Sequence, residues 1–345
     1  MKTYIKNLFL LPALLAIATG LASILTPISA HADILYVAGF GNNNQRIEKF
    51  DLATGADLGV FANSYSYGSG LAFDSAGNLY AAGGFTTSIL KITPGGVESV
   101  FASNVGASGL AFDSAGNLYA AIYGNGTIKK FTPGGVGSLF AIANPHVSGL
   151  AFDSASNLYA ASFDSTQIEE FTPGGVRSVF ANRASTGGAG LAFDSAGNLY
   201  AANQFNNTIE EFTPGGIRSV FANTGLSAPY GLAFDSAGNL YVANYGNNTI
   251  EKFSSTGTDL GIFASGLGDN TTWIAIQAVR PVLTIASVGN QSVLFWPASG
   301  TNYILQSTTN LASPNWLTAS DAVPVIAFTV TNTSPARFFR LQQQQ

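Results

Sequence analysis

The chain has 345 residues, no cysteine and a formal net charge of −5. An acidic chain lacks the clustered positive charge of a nucleic-acid surface, so we expect no nucleic-acid partner. Only 10% of its residues are charged, against about 25% in typical globular proteins, and without cysteine no disulfide can support the fold.

Residues 1–32 have the three parts of a secretory signal peptide. Lys2 and Lys6 precede an apolar run from Leu8 to Leu25, and Ala30-His31-Ala32 has the A-x-A form of a cleavage site. A membrane anchor is the alternative, but proline and glycine residues interrupt the run. No later stretch of the sequence is long and apolar enough to span a bilayer. We therefore expect cleavage near Ala32 and a secreted or periplasmic chain without a transmembrane span.

One segment occurs five times, with little change, in the middle of the chain. It reads Gly70-Leu-Ala-Phe-Asp-Ser-Ala-Gly-Asn-Leu-Tyr80 and starts again at Gly109, Gly149, Gly190 and Gly231. A period of about 40 residues, built from short strand-like runs, is typical of propeller blades. In the fourth copy the runs are Leu191–Phe193, Leu199–Ala202, Ile209–Phe212 and Ser219–Ala222.

Two tight turns join the runs within each copy. Asp194-Ser-Ala-Gly-Asn198 suits a type I turn followed by a left-handed glycine, with the Asp side chain accepting hydrogen bonds from the turn backbone. Ser156 replaces that glycine in the third copy, where we expect roughly 1 kcal/mol of local strain. Thr213-Pro-Gly-Gly216 fits a type II turn. Calcium binding by the Asp and Asn side chains is disfavoured, because no further acid follows at the spacing of a calcium loop.

The two ends of the repeat region complement each other. Residues 34–62 supply only three strand-like runs, and residues 273–277 supply a lone first run after the last full copy. Joining them would close a ring without a free sheet edge. We therefore predict an all-β chain, a six-bladed β-propeller with circular closure by the last strand, followed by a small β-sandwich. A linear solenoid is the alternative and would leave two incomplete ends.

The pattern G-L-A-F-D-S-A-G-N-L-Y-A-A-N…N-N-T-I-x-x-F resembles the NHL-repeat family of β-propellers. We assign residues 33–281 to this NHL-like propeller. The resemblance implies the propeller fold and chiefly binding and scaffolding roles. Similar blades occur in two groups of enzymes, the gluconolactonase-type propellers and the virginiamycin B lyases, so the resemblance also leaves an enzymatic alternative.

The period stops after Arg280-Pro281. Residues 282–342 contain further strand-like runs, among them Ser292–Trp296 and Arg337–Leu341. Leu294-Phe-Trp-Pro297 and the later Phe338-Phe-Arg-Leu341 resemble a fibronectin type III-like sandwich, which implies a spacer or an attachment module. We expect residues 343–345 to form a disordered tail.

The loops that differ between copies are expected to share one propeller face, around the channel mouth, and variable loops on a rigid scaffold usually carry function. Their aromatic side chains have two interpretations. Each ring packs against its neighbouring blade, which recurrence in every blade favours, or the rings together form a platform that binds sugars or a protein. The recurring candidates are Phe40, Phe85, Tyr123, Phe163, Phe205 and Tyr245, and the blade-specific ones are Tyr65, Tyr67, Tyr230 and Trp273. Trp273 replaces the glycine that opens the first strand elsewhere, where it would either plug the channel or offer a contact.

Ionisable residues are scarce on this face, where we place only His146, Asp164, Arg183 and Asp269 as weak polar candidates. The resemblance implies carboxylates and amides around a divalent ion in the lactonase type, and a histidine with acidic partners in the lyase type. The variable loops here contain no glutamate and one histidine. We therefore predict no catalytic residues, no metal site and no cofactor, with a divalent cation such as calcium only under the enzyme alternative.

The function predicted from these observations is a secreted, monomeric binding or scaffold propeller that recognises a protein or an extracellular polysaccharide through its variable-loop face. A gluconolactonase-like or virginiamycin B lyase-like enzyme is the alternative, and a structural surface protein without a discrete ligand is a third. Charged residues of the third strands, such as Glu210, Glu211, Lys129 and Lys130, are expected to be solvated and to discourage edge pairing.

Overall fold

The computed structural model describes residues 33–39, 46–63, 68–83, 88–187, 190–267, 270–277, 284–288, 291–295, 303–308, 317–318, 327–331 and 338–343. The regular structure in these ranges is β-strand. A search of the same ranges finds no helix with the length and apolar character needed to cross a membrane.

Six four-stranded antiparallel sheets, named blades 1 to 6, lie within a compact unit from Asp33 to Ala278. Blade 1 comprises β24 (Thr271–Gln277), β1 (Ile34–Gly39), β2 (Ile47–Asp51) and β3 (Asp57–Ala62), and blade 2 comprises β4 (Gly68–Phe73), β5 (Leu79–Gly83), β6 (Ser88–Ile92) and β7 (Glu98–Ser103). Blade 3 comprises β8 (Ala107–Phe112), β9 (Leu118–Ile122), β10 (Thr127–Phe131) and β11 (Gly137–Ile142), and blade 4 comprises β12 (Val147–Phe152), β13 (Leu158–Ser162), β14 (Gln167–Phe171) and β15 (Arg177–Asn182). Blade 5 comprises β16 (Leu191–Phe193), β17 (Leu199–Asn203), β18 (Thr208–Phe212) and β19 (Arg218–Ala222), and blade 6 comprises β20 (Pro229–Phe234), β21 (Leu240–Asn244), β22 (Thr249–Phe253) and β23 (Asp259–Ala264).

The first strand of each blade lies innermost and contacts the first strands of neighbouring blades, and β24 contacts both β4 and β20. The glycine that opens the G-L-A-F segment permits this close approach. A Cβ atom at Gly109 would collide with the Ser148 carbonyl oxygen, and one at Gly190 with the Tyr230 carbonyl oxygen. Glycine is therefore required there by the neighbouring backbone. The arrangement is a six-bladed β-propeller.

The tyrosine of each Leu-Tyr pair packs between blades. Tyr80 of blade 2 lies edge-on to Phe101 of its own fourth strand and to Phe112 of blade 3, with centroid distances of 4.9 Å to each. The same triad recurs as Tyr36–Phe61–Phe73, Tyr119–Phe140–Phe152, Tyr159–Phe180–Phe193 and Tyr200–Phe221–Phe234. Edge-to-face pairs add about 0.5–1.5 kcal/mol each beyond area burial, so this repeated residue stabilises the junctions.

The Asp-Ser-Ala-Gly-Asn turns have the predicted chemistry. Asp74 Oδ1 accepts hydrogen bonds from the backbone N–H groups of Ala76 and Asn78, at 3.0 and 2.8 Å. Gly77 has a φ of +81°, and Ser156 at the equivalent place in blade 4 has a φ of +66°. The non-glycine residue thus takes the left-handed conformation in which strain was expected.

The prediction of type II geometry for the Thr-Pro-Gly-Gly turns is wrong. The positive φ, +81°, belongs to Gly96, the fourth residue of its turn, whereas Gly95 at the third position is not among the positive-φ residues. The Gly96 N–H donates to the Thr93 carbonyl oxygen at 2.8 Å. Proline fits the second position of type I and type II turns alike, and a type I turn followed by a left-handed residue suits the twist of a hairpin.

Blade 1 has the strand order β24-β1-β2-β3, so it combines residues from both ends of the repeat region. β24 pairs antiparallel with β1, with Leu35 opposite Ile276 and Val37 opposite Ile274. The Tyr36 hydroxyl donates to Gln277 Oε1 at 3.1 Å, and Gln277 Nε2 donates to the Gly77 carbonyl oxygen in blade 2 at 3.3 Å.

Six further strands lie in the segment Val279–Gln345, which belongs to a second compact unit. They form two three-stranded sheets, in the orders β25-β26-β29 and β28-β27-β30. Their bounds are β25 Thr284–Val288, β26 Gln291–Phe295, β27 Tyr303–Thr308, β28 Leu317–Thr318, β29 Ala327–Thr331 and β30 Phe338–Gln343. The last strand includes Gln343, the first residue of the predicted disordered tail; Trp296 and residues 344–345 lie outside the described residues.

Candidate functional site

Two sets of loops meet on one face of the propeller, on the side away from the tight turns. The loop between the second and third strands of blade 4 bonds to the segment that enters this blade, since the Phe163 N–H donates to the His146 carbonyl oxygen at 3.0 Å. It also bonds to the segment that leaves the blade, since the Arg183 N–H donates to the Thr166 carbonyl oxygen at 2.7 Å. Hydrogen bonds between the loops therefore hold the residues of this face in place.

The recurring aromatic residues of this face do not share one environment. Phe205 and Tyr123 are 63% and 41% exposed, whereas Phe163 and Tyr245 are half-buried. Phe163 and Phe205 lie edge to face with ring centroids 5.5 Å apart. Because Phe205 stays largely exposed while it touches the neighbouring blade, packing and contact with a ligand are not exclusive at this position.

Tyr230 lies at the centre of a second aromatic group. Its ring is edge-on to Trp273, with centroids 5.6 Å apart, and 6.5 Å from Tyr245. Burial raises the pKa of Tyr230, and the nearby Tyr123 and Tyr245 raise it further. Tyr123 belongs to the variable loop of blade 3, whereas Tyr230 belongs to blade 6. The effect on the pKa of Tyr230 therefore indicates that these two loops come near each other.

Trp273 is half-buried and also packs against the hydrophobic core of blades 1 and 2. In the innermost strand β24 it takes the place of the glycine found in the other copies. Its indole therefore contacts both the core and the Tyr230 ring. The two predicted roles of Trp273, a plug of the channel and a contact for a ligand, both stay predictions.

His146 and Asp164 come together from the entry segment and the variable loop of blade 4. The His146 Nδ1 atom lies 2.6 Å from Asp164 Oδ2, and the Tyr123 ring lies 4.8 Å from the imidazole, between centroids. Burial and then the Asp164 carboxylate raise the pKa of Tyr123. The Asp164 side chain is 63% exposed and that of His146 38%, so solvent or a ligand reaches this trio.

Arg183 does not present its guanidinium to solvent. It is buried, and its Nη2 donates to the carbonyl oxygens of Ser162 and Ser165 at 2.9 and 2.5 Å. Burial lowers its pKa to about 10, against the opposing effect of the Glu210 carboxylate. Through these hydrogen bonds Arg183 holds the variable loop of blade 4 in place, so it is a positioning residue. Its burial keeps the guanidinium away from a ligand on this face.

Five of the candidates lie outside the described residues, namely Phe40, Tyr65, Tyr67, Phe85 and Asp269. The predicted polar group of this face is therefore described at His146, Asp164 and Arg183 only. Among the residues that are described, no group of three or more His, Cys, Asp or Glu side chains has an arrangement that would hold a metal ion.

The expectation that the third-strand acids are solvated is wrong for Glu210, which is 1% exposed. Its carboxylate accepts from the Ala184 N–H, in the segment that leaves blade 4, at 3.1 and 3.2 Å to its two oxygens. Glu169 is likewise buried; it accepts from the Asn144 N–H at 2.8 Å and pairs with Arg177. An arginine eight residues after the glutamate in both copies is the sequence signal for these contacts.

No family model and no curated protein matches the chain. Among similar solved structures, a chain of the crystal structure of a nidogen/laminin complex has a TM-score of 0.64 at 20% identity, covering 72% of this chain and 99% of that chain. Virginiamycin B lyase from Staphylococcus aureus has a TM-score of 0.52 at 15% identity, covering 75% of this chain and 90% of that chain. At these identities the likeness concerns the fold alone, and the chain is a six-bladed β-propeller.

Proposed function

We propose that the propeller is a binding or scaffold module whose variable-loop face recognises a protein or an extracellular polysaccharide. The exposed rings of Phe205 and Tyr123, beside the group of Tyr230, Tyr245 and Trp273, are the observation that carries this proposal. Aromatic side chains contribute large contact areas at low entropic cost. The neighbour from a nidogen/laminin complex supports protein binding as one of the two possibilities.

The finer architecture is part of the same proposal. Blades of the NHL type would form a ring that β24 closes by pairing with β1, and the two three-stranded sheets after Val279 would form a fibronectin type III-like sandwich that serves as a spacer or an attachment module. Removal of residues 1–32 as a signal peptide would export the chain to the periplasm or the outside of the cell, where it would act as a monomer without a cofactor.

A propeller enzyme is a second candidate, because the His146 imidazole and the Asp164 carboxylate lie within hydrogen-bond distance of each other. A carboxylate that orients a histidine through one ring nitrogen leaves the other nitrogen available as a general base. The divalent cation of the lactonase-like version finds no ligand group among the described residues. The candidate therefore rests on acid–base chemistry at His146 beside Tyr123.

Binding of a glycan array and of isolated extracellular proteins, with and without calcium, tests the first proposal. Tyr123→Ala and Phe205→Ala should each weaken binding about tenfold without lowering the melting temperature, because both rings are exposed. Tyr230→Ala is the matched packing control and should lower the melting temperature. Unchanged affinity in both exposed variants would refute the aromatic platform. Turnover of a lactone or of virginiamycin B that His146→Gln abolishes would favour the enzyme instead.

A further inference from the structure

The fourth strands β3, β7, β11, β15, β19 and β23 are the outer edges of the blades. Each pairs on one side only, with the third strand of its own blade. The first register position carries a charged residue in five of them, which are Asp57, Glu98, Arg177, Arg218 and Asp259. In β11 this position is Gly137, opposite Phe131. Charged residues on edge strands discourage pairing with other chains, and β11, Gly-Ser-Leu-Phe-Ala-Ile, has none.

The same edge exposes aliphatic side chains. Leu139 and Ile142 of β11 are 65% and 50% exposed, and Val136 in the preceding turn is 71% exposed. The other edges expose aliphatic residues too, but each of them also carries its charged residue. Blade 3 therefore combines unpaired backbone groups with an edge strand that carries no charged residue and exposes Leu139 and Ile142.

A cavity of about 500 Å³ lies beside this edge, between blades 2 and 3. Phe101 and Val105 of blade 2 line one side, and Lys129, Phe131 and Leu139 of blade 3 line the other. Lys129 is half-buried, and its ammonium group has no ion pair or hydrogen bond within the part of the chain that the structure describes. The cavity thus offers an unpaired cation among lining residues that are partly polar, such as Ser103 and Ser138, and partly apolar.

The neighbouring junction shows what blade 3 lacks. Lys129 lies opposite Leu139 in the register, as Glu169 lies opposite Val179 in blade 4. In blade 4 the Glu169–Arg177 pair reaches the segment that leaves blade 3, where Arg177 Nη2 donates to Asn144 Oδ1 at 2.9 Å. Blade 3 replaces the glutamate by lysine and the arginine by glycine, so this junction lacks a carboxylate and has a cation instead.

We propose that the outer edge of blade 3 binds an extended peptide segment of a partner protein, which adds a strand to β11 and places a carboxylate side chain against Lys129. Strand addition supplies main-chain hydrogen bonds, and the adjoining pocket supplies specificity for a side chain. An acidic side chain is chosen because it restores, from outside, the carboxylate that blade 4 carries as Glu169. The site is separate from the variable-loop face and does not depend on its function.

Three labelled peptides of one alternating valine–threonine sequence, with glutamate, glutamine or lysine at the centre, test the proposal by fluorescence anisotropy against the full chain. The glutamate peptide should bind about fivefold more tightly than the glutamine peptide, as one partly exposed ion pair allows, and the lysine peptide most weakly. Lys129→Glu should reverse this order. Leu139→Asp should abolish binding, whereas Val179→Asp, its counterpart in blade 4, should leave binding unchanged.

Hydrogen exchange with the glutamate peptide locates the bound strand. Protection should increase in Gly137–Ile142 and not in Arg177–Asn182. Equal affinity for the three peptides, an unchanged order in Lys129→Glu, or protection confined to other edges or to the loop face would overturn the proposal. Tyr123→Ala should not alter the affinity for these peptides, so failure of this site and failure of the loop-face function are distinguishable.

Discussion

Glu251 and Asp259 occupy in blade 6 the two positions that carry glutamate–arginine pairs in blades 4 and 5. Glu251 is buried, and burial, a side-chain hydrogen bond with Asp259 and the Asp259 charge raise its pKa to about 7. The Gly225 backbone, in the segment that leaves blade 5, approaches both carboxyl groups so closely that a Cβ atom there would collide with Asp259. Two acids thus share a confined site in which one proton relieves their repulsion.

This pair predicts a pH-dependent stability. The pKa of Glu251 in the folded state, about 7, lies above the ordinary value of 4.5, so the folded chain keeps a proton that the unfolded chain has released between these values. The free energy of unfolding should therefore fall as the pH rises from 4.5 to 7, with the full penalty above pH 7. Melting at pH 5 and pH 8 measures the effect.

Glu251→Gln should flatten this dependence, because glutamine keeps the hydrogen bond to Asp259 without a titrating group. Glu211→Gln, in the third strand of blade 5, is the control and should keep the parental slope. Since other groups also titrate in this range, the difference between the two variants is the quantity to compare. The same slope in both would contradict the assignment.

His146 and Asp164 illustrate what residue-level reading of the sequence misses. Both were candidates, but as isolated polar residues rather than as a pair 2.6 Å apart. They are eighteen residues apart in the chain. His146 comes just before β12 and Asp164 just after β13, at the end of the hairpin where Val147 lies opposite Ser162. Their meeting depends on how the entry segment folds over the variable loop, which local pattern does not specify.

At the scale of the strand, register irregularities between the third and fourth strands bury glutamates that simple alternation places outside. The register shifts between Ile168 and Glu169 in blade 4, and between Ile209 and Glu210 in blade 5. A bulge of this kind re-aims the side chains on its strand. The glutamates then accept hydrogen bonds from the preceding blade, so each links two neighbouring sheets.

Glu210→Ala should destabilise the propeller by about 3 kcal/mol, the scale of breaking a buried pair. Its loss removes both the acceptor of the Ala184 N–H and the carboxylate near the buried Arg183 guanidinium. Arg218→Ala is the matched control, because the Arg218 side chain is 44% exposed and should contribute under about 1 kcal/mol. Denaturant unfolding of both variants measures the contrast, and equal small losses would show that Glu210 does not link the blades.

At the scale of the whole molecule, β24 joins the end of the repeat region to its beginning. It pairs with β1 along its length, and its Thr272 hydroxyl donates to the Ala38 carbonyl oxygen at 3.4 Å. A strand that completes blade 1 also covers what would otherwise be a free edge of β1. If this pairing closes the ring as proposed, its loss should lower the stability of the propeller.

Two truncated chains test this consequence, one ending at residue 281 and one ending at residue 272. They differ only in residues 273–281, which include most of β24. The shorter chain should lose at least about 4 kcal/mol of unfolding free energy, beyond the range of single substitutions. Melting temperatures that agree within error would rule out closure by β24.

Sequence alone was sufficient to predict the blades, their number and the Asp-based turns, because a repeated pattern of glycine, tyrosine and turn residues encodes local backbone geometry in every copy. It did not reveal the buried glutamates or the His146–Asp164 pair. Those features arise where one blade meets the next or where a register shifts. Such contacts join residues that are distant along the chain, and their burial follows from the packed ring rather than from any single repeat.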